Sequence, residues 1–406
     1  MNEVSIILAI GLSFTLIALA MTLWNLRYYR RSDAQWRPGA GAVPFISVCV
    51  PARNEATNIE ACVRSILAND WPNIEVLVYD DQSTDATPQI LARLIESDAR
   101  VRTVESRPLP EGWNGKQHAC WRMAQAAAGE WMTFTDADVR FAPDCLRRAL
   151  GSATVLNAGL VSAFPRQIMG TVGEALAIPM IFFILLSYLP FAKMRGTTDV
   201  SASAGCGQFL CIRRDAYAAS GGHDGFKDSM HDGIKLPRAV RRAGFTTDVF
   251  DGTDVLSCRM YTGLGQTWRG FAKNAYEGLG SLGLLIFITV VHLLAHVTPW
   301  VLLALAAAAR ATDFVPLARL DVLASPLAMA LALACVVLQI FHRIVLARRH
   351  AQPLWIALVH PVGIVMMTLI QWHSLYLHLT GKRAWRGRTL GPSGVASVGG
   401  ITRAGS

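Results

Sequence analysis

The sequence predicts an α/β domain built on a mainly parallel, Rossmann-like sheet, with transmembrane helices at both ends of the chain. Three apolar runs of strand length carry the first expectation. Ile46-Ser47-Val48-Cys49-Val50 runs into Pro51-Ala52-Arg53-Asn54-Glu55, Val76-Leu77-Val78-Tyr79 stops at Asp80-Asp81, and Met132-Thr133-Phe134-Thr135 stops at Asp136-Ala137-Asp138. An open α/β sheet presents ligand-binding groups at the carboxyl ends of its strands in this way. The second expectation rests on composition: 52% of the 406 residues are apolar, too many for an ordinary soluble domain.

Residues 4–24 form an uncharged apolar run of roughly 20 residues, the length that spans a bilayer. No basic residue precedes it and no small-residue cleavage site follows, which disfavours a signal peptide. Arg27, Arg30, Arg31 and Arg37 come next and place this end in the cytoplasm, with Pro38-Gly39-Ala40-Gly41 as a tether. Ile59, Cys62, Val63, Ile66 and Leu67 then recur at helical spacing behind Thr57 or Asn58 as a cap. Ile90, Leu91, Leu94 and Ile95 mark a second buried stripe, 101–104 a third strand, 115–128 a third helix and 132–136 a fourth strand. Residues 202–270 return to the same domain. There Ile234, Ala239 and Val240 alternate with Lys235, Arg238, Arg241 and Arg242 in a helix closed by Gly244. Alternating strands and helices imply three layers.

The apolar run 176–191 contains Pro179 and Pro190. A single crossing there would put Asp138 and Asp232 on opposite sides of the membrane, so an interfacial or buried segment is expected. Residues 279–309 carry no Asp, Glu, Lys or Arg, and 322–341 and 354–379 are two further candidate spans. Arg343, Arg348 and Arg349 suit a cytoplasmic loop, which leaves Lys382, Arg383, Arg386 and Arg388 outside. Either the tail violates the positive-inside rule or the last segment, broken at His360-Pro361, re-enters. The expected organisation is a membrane helix over 1–26, a basic linker over 27–44, the α/β domain over 45–278, a membrane domain over 279–380 and a basic, disordered tail over 381–406. Much of the net charge of +9 flanks apolar segments, which points to a membrane surface and not to nucleic acid. The eight cysteines lack metal-ligand spacing and read as reduced structural thiols.

Asp136 and Asp138 lie two apart at a strand end, and the period of two would point both carboxylates to one face. Two hard oxygen ligands suit Mg2+ or Mn2+ held jointly with a diphosphate. The alternative, a solvated acidic turn, is disfavoured by the preceding buried strand and by Asp80-Asp81 in the same sheet. Asp81 suits a nucleotide's base or ribose, leaving Asp85 or Thr84 to cap the next helix. Arg53, Asn54 and Glu55 share the first strand's carboxyl edge, and Lys116 offers a point charge for a phosphate.

Val50 to Glu55, Tyr79 to Asp85, Trp113-Asn114-Gly115-Lys116, Thr135 to Asp138, Gly205-Cys206-Gly207-Gln208, His231-Asp232, Cys258-Arg259-Met260-Tyr261 and Trp268-Arg269-Gly270-Phe271 occur in that order. Together they resemble a family 2 glycosyltransferase of GT-A fold over residues 45 to about 280. Within it the resemblance is closest to bacterial membrane enzymes of the hopanoid-associated and carotenoid (diaponeurosporenoate) types, and more distantly to ceramide glucosyltransferases. It implies an inverting transfer from a nucleotide sugar, with UDP as the family's usual nucleotide. Asp81 would bind the nucleotide, Asp138 the metal, and Asp232 would be the general base. The donor site would gather Pro51, Arg53, Glu55, Asp81, Lys116, Asp136 and Arg269.

Two departures stand out. His231 replaces the first acid of the family's Glu-Asp motif, which leaves it either a structural histidine or a contact to acceptor or phosphate. Gln266-Thr267-Trp268-Arg269-Gly270 lacks the Trp that follows the Arg in processive synthases, which weakens a polymerase reading. Trp268 is then either a diphosphate contact or a membrane-interface anchor. Membrane segments on both sides of the domain favour a lipid or terpenoid acceptor, met by a cytoplasmic catalytic domain of a multi-pass inner-membrane protein. A polyprenyl-phosphate acceptor and a non-catalytic scaffold are the competing readings.

Overall fold

The computed structural model describes residues 3–39, 43–311, 325–382 and a short strand pair, Ala384–Trp385 with Arg388–Thr389. Eight strands make the main sheet: β1 Ile46–Ala52, β2 Ile74–Asp80, β3 Val101–Thr103, β4 Trp131–Thr135, β5 Val139–Phe141, β6 Leu160–Gln167, β7 Phe209–Arg213 and β8 Thr247–Cys258. Their order is β3-β2-β1-β4-β7-β6-β8-β5. β1 runs parallel to β2 and β4, β2 to β3, and β6 to β8, whereas β7 runs antiparallel to β4 and β6, and β5 to β8. The sheet is thus mixed but mostly parallel, as expected of a Rossmann-like GT-A fold. Registers Ala52↔Asp80 and Cys49↔Phe134 bring the carboxyl ends of β1, β2 and β4 to one edge.

Apolar strands without alternation need cover on both faces. One face packs on Ile59–Leu67, Thr87–Ser97 and Cys145–Val155, the other on Gly115–Ala126 and Asp232–Arg242. Ile59, Cys62, Val63 and Ile66 are buried as expected, but Asn58 caps its helix by position, without a side-chain bond. Ile95 is exposed: the buried stripe is Thr87, Ile90, Leu91 and Leu94, and Ile95 falls on its flank. Arg241, expected on a polar face, is buried because its guanidinium donates to the carbonyls of Met194, Thr197, Asp199 and Thr247. Five donors make Arg suited to tying such strands of backbone together.

Among the described residues, four helices are long and apolar enough to cross a membrane: Glu3–Asn25, Leu282–Ala309 with a π-turn at Leu293–Val297, Pro326–Arg349 and His360–Leu379. The start of the expected 322–341 run and the tail beyond 389 lie outside the described residues. The 176–191 run folds as Val172–Ala177, Met180–Tyr188 and Phe191–Gly196, broken at Pro179 and Pro190. It is buried under the sheet, where Asn25 Nδ2 donates to the carbonyls of Leu186 and Leu189.

Arg349 donates to the Tyr29 carbonyl and lies 2.8 Å from Asp251, fixing the end of its helix to the α/β domain. His360–Leu379 packs both on that domain and on Leu282–Ala309, where Trp372 donates to Thr289 at 3.0 Å and His360 bonds His296 at 3.2 Å. A Cβ at Gly363 would fall 2.9 Å from the Leu176 carbonyl, Trp268 donates to His373 at 2.8 Å, and the Tyr276 N–H donates to Ser374 at 2.9 Å. All eight cysteines are free, and Cys206 alone of them is not fully buried.

Candidate active site

β4 stops at Thr135, so a turn and not the strand's pleat carries Asp136 and Asp138. The period-of-two expectation therefore fails in its reason, although the two carboxylates still face each other's charge. Burial comes first in pushing the Asp138 carboxyl up to about 7, followed by the charges of Asp136 and Glu55. Its Oδ1 is buried with no hydrogen-bond partner.

Lys116 opens the helix Gly115–Ala126, whose N-cap Asn114 accepts from the Lys116 N–H at 2.8 Å. Its ammonium lies 2.6 Å from Asp136 Oδ1 and 2.9 Å from Asp232 Oδ2. Burial alone would lower its pKa, but Asp136 and Asp232 hold it well above the ordinary lysine value. Burial likewise pushes the Asp232 carboxyl up, and Lys116 outweighs it, leaving Asp232 below the usual carboxylate value.

Glycines allow this approach. A Cβ at Gly207 would fall 2.2 Å from Asp232 Oδ1, and one at Gly233 would fall 2.7 Å from the Gly207 nitrogen. The turn before β7 and the first turn of Asp232–Arg242 thus touch backbone to backbone. Thr135 Oγ1 donates to the Gln208 carbonyl at 2.8 Å and closes the same turn onto β4.

Asp81 follows β2 and is buried, with Arg53 Nη1 3.6 Å from its Oδ2. Asn54, at φ 55°, joins the β1 and β2 loops: its N–H donates to Ser83 at 2.9 Å and its Oδ1 accepts from the Thr84 N–H at 2.8 Å. The N-cap of the next helix is Ala86, without a side-chain bond; Asp85, expected to cap it, stands one residue earlier and accepts from the Thr87 N–H at 2.9 Å. Pro51 is buried in β1 opposite Tyr79, and Glu55 accepts from Asn58 at 3.1 Å. With neighbouring strands about 4.8 Å apart, Asp81 and Asp136 stand roughly 10 Å apart along the edge. That is a nucleotide's length rather than a contact.

His231 packs its ring over Gly278, and burial lowers its pKa against the pull of Asp232 and Glu277. Trp268 and Arg269 sit on Leu264–Ala272 away from the Lys116 cluster's bonds. Trp268 is tied to His373, and Arg269 is exposed with no ion pair among the described residues. Sequence reasoning missed Glu277, which accepts from Ser229 Oγ at 2.5 Å and the Met230 N–H at 3.2 Å and so holds the loop leading to Asp232. Its one signal was a lone acid just before the uncharged run.

Among the described residues no group of three or more His, Cys, Asp or Glu side chains is arranged to hold an ion alone. Asp136 with Asp138, whose Oδ1 lacks a partner, fits an ion that takes its remaining donors from a diphosphate and water.

Residues 47–221 match the family model described as Glycosyl transferase family 2: the chain carries a domain of that family, and its class is that of the glycosyltransferases. Asp232, Trp268 and Arg269 lie beyond the matched stretch. The chain is 27% identical over 262 residues to the 4,4'-diaponeurosporenoate glycosyltransferase of Staphylococcus haemolyticus, covering 64% of this chain and 68% of that one. It is 24% identical over 269 residues to the enzyme of the same name from Staphylococcus aureus strain N315, covering 65% and 70%. In fold it is similar to a mannosyltransferase from Pyrobaculum calidifontis solved in complex with GDP-Man and Mn2+, at a TM-score of 0.52 and 20% identity over 90% of this chain and 99% of that one.

Proposed function

We propose that the chain moves a sugar, with inversion, from a nucleotide diphosphate sugar to a hydroxyl of a membrane lipid. The observation that carries this reading is the Lys116 bridge between Asp136 and Asp232. It joins the acids at the β4 edge to the base candidate from a distant part of the chain. Asp81 and Arg53 would take the nucleoside, with Pro51 and Glu55 shaping that edge, and Lys116 the diphosphate. Asp136 and Asp138 would hold Mg2+ or Mn2+, which when bound supplies positive charge to the departing diphosphate.

Asp232 Oδ2 takes the acceptor's proton as the acceptor oxygen bonds to the anomeric carbon. The bond from that carbon to the diphosphate breaks on the opposite face, and its electron pair leaves with the nucleoside diphosphate. Trp268 and Arg269 reach that diphosphate only if Leu264–Ala272 closes on it; Trp268 is hydrogen-bonded to His373 of His360–Leu379.

The membrane placement follows from charge. Read as a helix that does not cross, His360–Leu379 leaves Arg27, Arg30, Arg31, Arg37, Arg348, Arg349 and Lys382 on one side, which the positive-inside rule makes the cytoplasm. The lipid reading rests on the buried 176–191 run and the last helix flanking the catalytic edge. It agrees with relatives named for a carotenoid-type substrate.

One observation favours a second reading: Lys116 keeps Asp232 a weak base, which suits an acceptor that is already ionised, such as a polyprenyl phosphate. Membranes containing the protein, supplied with radiolabelled UDP-sugars or GDP-sugars and then extracted with solvent, test the reading. Metal-dependent label in the organic phase is expected. Label confined to water-soluble products, or none with any donor, would overturn it. A mild-base treatment and phosphatase then separate glycosylated hydroxyl lipid from sugar phosphate lipid.

A further inference from the structure

Phe183, on the buried helix Met180–Tyr188, sits inside a ring of basic side chains drawn from three of the long apolar helices. Its ring centroid lies 6.3, 5.2, 5.4 and 5.1 Å from those of His292, His296, His342 and His360, and 6.0 Å from the Arg343 guanidinium carbon. All five basic residues are at most 2% exposed. His342 bonds Thr22 at 2.8 Å, His292 bonds Tyr188 at 3.1 Å, and His296 and His360 bond each other at 3.2 Å. Six nitrogens remain buried with no partner: Arg343 Nε and Nη1, and one ring nitrogen on each histidine.

No carboxylate among the described residues pairs with Arg343. A buried cation without a counter-ion in a membrane domain marks a site whose partner is missing. Water would satisfy the donors but not the charge. A metal ion is a poor fit, because Arg343 would repel it and no three donors converge on one point. The open Nε and Nη1 donors lie on different edges of the planar guanidinium, so each can donate to a separate anionic oxygen, and the charge itself favours an oxyanion. The π-turn Leu293–Val297, which places His296, is an irregularity common at functional sites.

Depth identifies the carrier. Arg343 lies six residues before Arg349, roughly 9 Å along the helix from the point where the helix is bonded to the α/β domain. If Pro326–Arg349 crosses the membrane, Arg343 lies in its half nearer the α/β domain, where an amphiphile of that leaflet is the carrier within reach. We propose that Arg343 and the histidines around Phe183 form an oxyanion site for the phosphate or carboxylate of an amphiphile in that leaflet. None of these residues takes part in the sugar transfer proposed above, so either reading survives the other's failure.

The test uses the full chain in phosphatidylcholine nanodiscs, with thermal unfolding followed as inorganic phosphate, octyl phosphate or dioleoylphosphatidylglycerol is added. A saturable rise in Tm of about 3 °C or more is expected with the two lipid-borne phosphates and not with inorganic phosphate. The rise should be lost in Arg343→Gln, reduced in Arg343→Lys, and kept in the surface control Arg30→Gln/Arg31→Gln. A full rise in Arg343→Gln, or no rise with any probe, would overturn the site, and an equal rise with inorganic phosphate would overturn the lipid assignment. If Arg343→Gln does not fold, native mass spectrometry of the wild-type chain decides: one retained phosphate amphiphile supports the site, and none counts against it.

Discussion

Lys116 has two jobs that compete. It neutralises Asp136 and Asp232, and in the proposed reaction its charge is wanted on the diphosphate. Gly207 exists for the same geometry. Gly207→Ala puts a methyl 2.2 Å from Asp232 Oδ1 and should displace the carboxylate, lowering transfer. A misplacement of about 1 Å costs on the order of 100-fold, so steady-state transfer should fall by about that factor while donor binding holds. Glu75 makes a separate prediction at the amino end of the sheet. Its carboxylate accepts from Ser47 Oγ at 2.5 Å, the Ala128 N–H at 2.7 Å and Arg102 at 2.7 Å. Burial opposes ionisation there, but these donors hold the carboxyl below its ordinary 4.5. A depressed carboxyl stabilises the fold above its unfolded value and loses that contribution as pH falls through the folded one. Glu75→Gln should therefore cost about 1–3 kcal/mol at neutral pH in denaturant titrations, with the gap to wild type closing as the pH falls below the ordinary 4.5 and through the lowered value. The strand-end acids were legible because each follows an uninterrupted apolar run. Glu277 and Arg241 were not, because partners supplied by distant backbone leave no local pattern.

At the scale of elements, the first half of the sheet was readable and the second half was not. β1, β2 and β4 are continuous apolar runs, whereas β6 contains Pro165 and β8 contains Asp248, Asp251 and Asp254. Those acids look like a loop in sequence, yet they meet Arg195, Arg349 and Arg148 at 2.5, 2.8 and 2.7 Å. The antiparallel setting of β7 was also hidden, since a buried strand reads alike in both directions; the Gly205–Gln208 turn sets it. The last helix is long and apolar enough to cross, and the side of its far end rests on the proposed reading that it does not. Its bonds to Tyr276 and from Trp268 lie near one end and its contact with Leu176 near the other. A cysteine replacing Lys382 should accordingly react with a membrane-impermeant maleimide only after the cells are opened. Labelling in intact cells with a permeable outer envelope would show instead that the helix crosses.

For the molecule as a whole, composition and periodicity located a sheet edge and helices long and apolar enough to cross a membrane. Pairing Asp232 with that edge needed the ordered resemblance, because nothing in local spacing links residues so far apart. The partnerless Asp138 oxygen predicts that chelation with EDTA stops transfer and that Mg2+ or Mn2+ restores it, read as label recovered in lipid. The most direct test of the whole is Asp232→Asn, assayed side by side for radiolabel transfer to lipid and for donor binding by thermal shift. The account predicts transfer lower by about two to four orders of magnitude with the donor's shift in Tm retained. An Asn variant that transfers sugar at the wild-type rate would contradict it.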